Sequence, residues 1–226
     1  MTIRTLDAGL SGIKQSLLQM AGYVEQAIDS STRAWRARNV DQINQVYQIE
    51  RKVNACHLSI DDLCFKFLAT QHPLASDLRF ILSALKINND LERIVDQAVN
   101  IANNAEHYLK NPQVLNTADL SEMADQARWM LIAAIEAFLK SDEQVAKEVC
   151  LRDDQVDELK QKIFLDVMAK IKTDVSLLEQ GMNFILISRN LERIGDHATN
   201  IAEDVIFTIS GKDIRHSQPY ERGQKS

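Results

Sequence analysis

Ile87–Ala102 reads INNDLERIVDQAVNIA, and Ile187–Ala202 reads ISRNLERIGDHATNIA. Ten of these positions are identical at an offset of 100 residues: Ile87, Leu91, Glu92, Arg93, Ile94, Asp96, Ala98, Asn100, Ile101 and Ala102 each meet their own kind. Self-similarity at a fixed, domain-sized spacing marks a duplicated structural unit. The apolar residues Leu91, Ile94, Ala98 and Ile101 step by three and four, the period of one helix face. Beside that seam run Glu92, Asp96 and Asn100, copied as Glu192, Asp196 and Asn200. Acids at i and i+4 repel on a helix unless a cation lies between them. Doing this twice makes the chain a candidate for holding metal.

Working outward, the whole chain reads as helix. Its 226 residues contain only 7 Gly and 3 Pro, with 6% aromatics. Few breakers together with many Ala, Leu, Glu, Gln and Lys favour long helices over strands. A first helix is expected near Leu10–Arg38, with Ile13, Leu17, Met20, Val24, Ala27 and Ile28 on its inner face. Asn39 and Asp41 break and restart the chain, and a second helix runs from about Val40 to Ala69. Pro73 ends it, since proline does not continue a helix and restrains His72 before it. Ser76 is a cap candidate for a third helix reaching Leu109, whose seam is read as Leu78, Ile81, Leu82, Leu85, Leu91, Ile94, Ala98 and Ile101.

Asn111-Pro112 divides the halves. Asn116, Thr117 and Asp119 offer caps for a fourth helix to about Leu139. Ser141-Asp142-Glu143 starts a fifth, to about Ile171. A turn at Lys172-Thr173-Asp174 leads to a sixth, from about Ser176 to Ile209, with Gly211 at its C-terminal cap. The expected fold is all-α: two tandem, sequence-related three-helix bundles with six long helices. Residues 1–110 form the first repeat, 111–213 the second and 214–226 a polar tail. One continuous six-helix bundle is the alternative.

Charge and composition exclude several classes. A net charge of −6 argues against a nucleic-acid binder, which carries a basic face, and against attraction to anionic lipid. No run of about 18 apolar residues is present to span a membrane. The N-terminus, Met1-Thr-Ile-Arg-Thr-Leu-Asp, lacks the apolar core of a signal peptide. A soluble, cytoplasmic protein is expected. Cys56, Cys64 and Cys150 form no C-x-x-C pattern, and the odd count fits free thiols in a reducing compartment.

One helix cannot chelate a metal tightly, so a neighbour must contribute. Glu50-Arg51-Lys52-Val53-Asn54 in the second helix matches Asp153-Asp154-Gln155-Val156-Asp157 in the fifth. Facing helices would offer Glu50, Asn54, Glu92 and Asp96 in one half, and Asp153, Asp157, Glu192 and Asp196 in the other. Such oxygen-rich ligation suits iron, manganese, magnesium or calcium, with zinc as a substitute. Asp157 in place of Asn54 makes the second site the stronger. The alternative is solvated helix acids, with Arg189 three residues before Glu192 as an ion-pair partner. The five histidines form no spaced pair, and the Glu-x-x-His pattern of carboxylate-bridged oxidases is absent.

With these features together, the chain resembles the PhoU family, regulators of bacterial phosphate uptake and signalling. The resemblance covers nearly the whole chain. It rests on the duplicated Leu-Glu-Arg-Ile-x-Asp helices, on Gln71-His72-Pro73-Leu74-Ala75-Ser76-Asp77-Leu78-Arg79, on the paired acid motifs, and on Gly211-Lys212-Asp213-Ile214-Arg215-His216. It implies two related three-helix bundles. It implies metal sites for iron, zinc, manganese or magnesium on the eight residues just named, with Asn54 departing from an all-acid pattern. It also implies a non-enzymatic homodimeric adaptor. That adaptor would restrain the phosphate-starvation response between the phosphate ABC transporter's ATPase subunit and a membrane sensor histidine kinase. Asp77 and Arg79 are candidates for the partner-binding surface, against a plain helix-capping role. A metal-storage protein or carboxylate-bridged metalloenzyme is the competing reading, and a helical scaffold with solvated acids a third.

Overall fold

The computed structural model describes residues 2–111, 115, 116 and 118–211, with side chains from Leu6 onward. Pro112, Thr117, Lys212–His216 and the polar tail lie outside the described residues. Six α-helices are found among the described residues, with no strand: α1 Thr2–Arg36, α2 Asp41–Thr70, α3 Ala75–Leu109, α4 Ala118–Lys140, α5 Glu143–Thr173 and α6 Leu178–Ser210. A single 3-10 turn, Val175–Leu177, leads into α6.

Local chemistry sets the boundaries. Arg38 takes a left-handed backbone with φ 50°. The Asp41 N–H then donates to Asn39 Oδ1 at 2.9 Å, restarting the helix. Asp142 is the N-cap of α5, its Oδ1 accepting from the Gln144 and Val145 N–H groups. Gly211 closes α6 at φ 71°, a conformation glycine adopts without strain, and its N–H donates to the Phe207 carbonyl at 2.8 Å.

Two expectations at the helix ends are corrected. Helix α1 begins at Thr2, well before Leu10. Helix α3 starts at Ala75, and Ser76 does not cap it. The Leu74 N–H donates instead to Asp77 Oδ2 at 3.2 Å, a carboxylate at the positive end of the helix dipole.

The inner face of α1 is as read: Ile13, Leu17, Met20, Val24, Ala27 and Ile28 are all buried. Of the α3 seam, Ile81, Leu91, Ile94, Ala98 and Ile101 are buried as read and Leu85 is half-buried, but two positions near its start are not covered. Leu78 is 40% exposed and Leu82 44% exposed, because α3 turns that face to solvent near its N-terminus. Along the duplicated stretch Ile87, Leu91, Ile94, Ala98 and Ile101 are fully buried, as are Ile187, Leu191, Ile194, Ala198 and Ile201. Each Ile or Leu so buried contributes roughly 1.5–3 kcal/mol.

Within each half, three helices pack on one another, and the two duplicated helices α3 and α6 form the broadest contact in the molecule. Helix α1 meets α4 across the same divide. The core therefore runs continuously from one half to the other. Polar links reinforce it. Lys86 Nζ meets Asp204 Oδ1 at 2.9 Å, the Thr208 hydroxyl donates to Ser83 Oγ at 2.7 Å, and Arg36 donates to the Ser121 hydroxyl and carbonyl at 3.0 and 2.8 Å. Phe80 stacks on Phe138 with ring centroids 5.1 Å apart.

Candidate functional site

In the second half, α5 and α6 bring the predicted acids into one electrostatic neighbourhood. Asp153 and Asp157 stand one turn apart on α5, beside Glu192 and Asp196 one turn apart on α6. Asp153 is half-buried, whereas Asp157 and Asp196 are exposed. Burial, then the Asp196 and Asp157 carboxylates, push the Asp153 carboxyl up to about 6 from an ordinary 3.8. Asp196 is raised as well, first by burial and then by Glu192 and Asp157, with His197 and Lys160 opposing.

The structure adds a residue that spacing did not single out. Lys160 Nζ lies 2.6 Å from Glu192 Oε1 and 3.2 Å from Asp157 Oδ1, bridging α5 and α6. The Glu192 bond holds its ammonium above the usual lysine range. Glu192 is therefore neutralised from α5 and not by Arg189. The available signal was Lys160 standing three residues after Asp157, a helix-neighbour spacing. Which acid it would reach across the gap depends on how α5 and α6 cross.

The first half assembles differently. Glu50 and Glu92 are half-buried, and Asn54 and Asp96 are exposed. Asp96 is raised by burial, and the one neighbouring charge acting on it is Arg93, which lowers it. The predicted first-site acids are not drawn into mutual repulsion as the second-site acids are. At the position matching Lys160 stands His57, whose Nε2 lies 3.7 Å from Asp61 Oδ2.

The two donor sets therefore differ in how they fit a metal ion. In the placement described, no group of three His, Cys, Asp or Glu side chains converges to hold a metal among the described residues. The second half nevertheless has the chemistry for a hard cation. Its four carboxylates act on one another across α5 and α6, Asp153 resists ionisation, and the Lys160 ammonium stands between Asp157 and Glu192. A bound metal would use Asp153, Asp157, Glu192 and Asp196 and would supply charge neutralisation. The first half, with neutral Asn54 and an Arg-facing Asp96, does not fit in the same way.

Asp77 carries out the capping described above. Arg79 is half-buried with its Nε unpartnered. Cys64 is buried and Cys150 half-buried, and burial pushes their thiols up to about 11 and 12. Such thiols are inert packing groups at neutral pH. His197, which adds no metal-ligand spacing, has a different role: its Nδ1 lies 2.9 Å from Asp90 Oδ1 and ties α6 to α3.

A PhoU domain model matches the chain twice, over residues 17–105 and 120–205. The chain belongs to the PhoU family. It is 33% identical to a Pseudomonas aeruginosa protein described as a phosphate-specific transport system accessory protein PhoU homolog, over 93% of this chain and 87% of that one. A protein of the same description from Aquifex aeolicus is 31% identical over 95% of this chain and 97% of its own. The crystal structure of PhoU from Pseudomonas aeruginosa superposes with a TM-score of 0.88 at 32% identity, covering 91% of this chain and 99% of that one. The PhoU family consists of accessory regulatory proteins and not of enzymes. Both acid motifs fall inside the matched segments. No helix among the described residues is long and apolar enough to cross a membrane.

Proposed function

We propose that this chain is a cytoplasmic regulator of phosphate uptake that restrains the phosphate-starvation response. The observation that carries this reading is the double PhoU match over both halves, together with relatives described as accessory proteins of the phosphate-specific transport system. In the finer form of the proposal, it is a homodimeric adaptor between the phosphate ABC transporter's ATPase subunit and a sensor histidine kinase. Its two units are residues 1–110 and 111–213. Asp77 and Arg79 belong to the docking surface, and the unpartnered Arg79 Nε is the donor a partner would satisfy.

Iron, zinc, manganese or magnesium would bind first at Asp153, Asp157, Glu192 and Asp196, and more weakly at Glu50, Asn54, Glu92 and Asp96. The crowding around Asp153 supports that order. A cation there would relieve repulsion between α5 and α6 and stiffen the second half by linkage.

The test is a phosphate-starvation reporter in phosphate-rich medium, in the native host lacking this gene. The strain is complemented with the parent or with a variant carrying Ala at Glu92, Asp96, Glu192 and Asp196. The reporter is expected on in the deletion strain and off with the parent. The four-alanine variant is expected to leave it at least partly on. A reporter that stays off in the deletion strain overturns the regulatory reading.

A further inference from the structure

The duplication has a geometric consequence at the α3–α6 crossing. Asp90 meets His197, Ser83 meets Thr208, and the Tyr108 ring lies 6.0 Å from that of Phe184, so the two helices run antiparallel. Arg93 lies three residues after Asp90, and Arg193 lies four before His197. Antiparallel pairing therefore brings the same arginine of each repeat to the centre of the crossing from opposite sides. Both line one cleft of about 730 Å3 there, with Gln97, Asp153, Asp196 and His197.

Neither arginine has an ion-pair partner among the described residues. Arg93 acts on Asp96 only as a neighbouring charge. Gln97 is 9% exposed, lines the same cleft, and its Oε1 has no hydrogen-bond partner. A buried acceptor left unsatisfied costs free energy that a ligand donor would recover. Two guanidinium groups recognise a tetrahedral oxyanion through paired, charge-assisted hydrogen bonds. The cleft also carries carboxylates, which repel an anion offering only acceptor oxygens.

We propose that this cleft binds free inorganic phosphate, with Arg93 and Arg193 holding its charged oxygens and Gln97 Oε1 accepting from its P–OH. Inorganic phosphate keeps at least one P–OH at neutral pH. Sulfate has none, and a phosphate monoester has largely lost its own. The acceptors that make the cleft poor for sulfate thus make it selective for the protonated oxyanion. The cleft borders the proposed metal ligation, since Asp153 and Asp196 line it, but its phosphate-binding groups Arg93, Arg193 and Gln97 are not among the metal ligands of that reading.

The experiment is isothermal titration of the purified full chain with inorganic phosphate, sulfate and O-phosphoserine, all in EDTA. Saturable binding of one phosphate per chain is expected, with sulfate and phosphoserine at least about tenfold weaker. Arg93→Gln/Arg193→Gln should weaken phosphate by more than about tenfold, while Arg189→Gln on the exposed side of α6 leaves it unchanged. Gln97→Met should bring phosphate and sulfate toward equal affinity. Thermal melts of each variant check that folding is intact.

No saturable phosphate binding up to about 10 mM overturns the proposal. So does equal affinity for sulfate in the parent, or undiminished binding by the double variant. Phosphate binding that appears only when metal replaces EDTA also overturns it, since the metal would then hold the ligand. The titration is read without any reporter strain, so its failure removes the cleft while leaving the regulatory proposal standing, and the converse holds.

Discussion

The two halves share a seam but not all the charges beside it. Buried Leu91, Ile94 and Ile101 have their copies in buried Leu191, Ile194 and Ile201, and the backbone around them repeats. On the adjoining stripe, burial and then the neighbouring Asp196 and Asp157 carboxylates push Asp153 up to about 6, with Lys160 bridging Asp157 and Glu192. In the first half Asn54 replaces an acid and His57 stands where Lys160 would. A packed core tolerates little change in volume, whereas a half-exposed polar position tolerates changes of charge. Duplication thus kept what packs and let the adjoining charges diverge.

The strongest way to break the comparison is in the shared seam. Leu91→Ala and Leu191→Ala should each cost about 2–5 kcal/mol, because both leave a cavity in a fully buried site. Urea denaturation should show similar losses for the two. A large loss for one and almost none for the other would mean that the seam is not equally packed in both halves.

The ion sites should separate where the seams do not. Asp153→Asn/Asp196→Asn is expected to weaken manganese binding by more than about tenfold, with Glu50→Gln/Asp96→Asn changing it less than about threefold. Titration with manganese in chelator-free buffer reads both. Equal losses would show that the first half binds as strongly as the second.

A smaller effect follows from pH. The Asp153 carboxyl titrates near 6 when folded and near 3.8 otherwise, so its protonated form favours the fold. That contribution is fully present below about pH 3.8 and is lost as pH rises through about 6. Asp153→Asn should melt with the parent at pH 4 and a few degrees above it at pH 8 without metal, about 1 kcal/mol after allowing for solvent screening. A gap that is widest at pH 4 would reverse the sign and remove the account of Asp153 as a carboxyl raised by burial and neighbouring acids.

The smallest expected difference lies at the matching positions Lys160 and His57. Lys160→Ala should lower metal-free stability by up to about 1 kcal/mol, because it separates Asp157 and Glu192. His57→Ala should change it less at pH 8, because His57 Nε2 stands 3.7 Å from Asp61 on its own helix, beyond hydrogen-bond distance, and does not join two acids. Thermal melts of the two variants at that pH make the comparison.

Most of the fold was legible because its information is local. The three-and-four spacing of Ile13 to Ile28 is a property of one helix, as are the Asp142 cap and the Gly211 stop. The misreadings concern what lies opposite a helix. Leu78 and Leu82 fit the seam by period but face solvent, since periodicity says which residues share a face and not how far along a neighbour covers it. Lys160 bridging to Glu192, and His197 meeting Asp90, depend on crossing angle and register between helices distant in the chain. The acid positions themselves were legible because duplication flagged them. Their unequal crowding was not, because it arises from burial and from neighbours on a second helix.

The antiparallel contact of α3 with α6 also bears on the order in which the chain is made. Helix α3 ends at Leu109, but its widest partner is not complete until Ser210. At synthesis rates of roughly 5–20 residues per second, the side of α3 carrying Ser83, Asp90 and Tyr108 waits on the order of 5–20 seconds beyond the ribosome for its cover. The first half can close three helices on itself in that interval, while α4 and α5 both need α6 as well. Helix α6, which emerges after the other five described helices, is the keystone for both halves, so a chain stalled before α6 is complete would leave an apolar helix face open to chaperones or to another nascent copy.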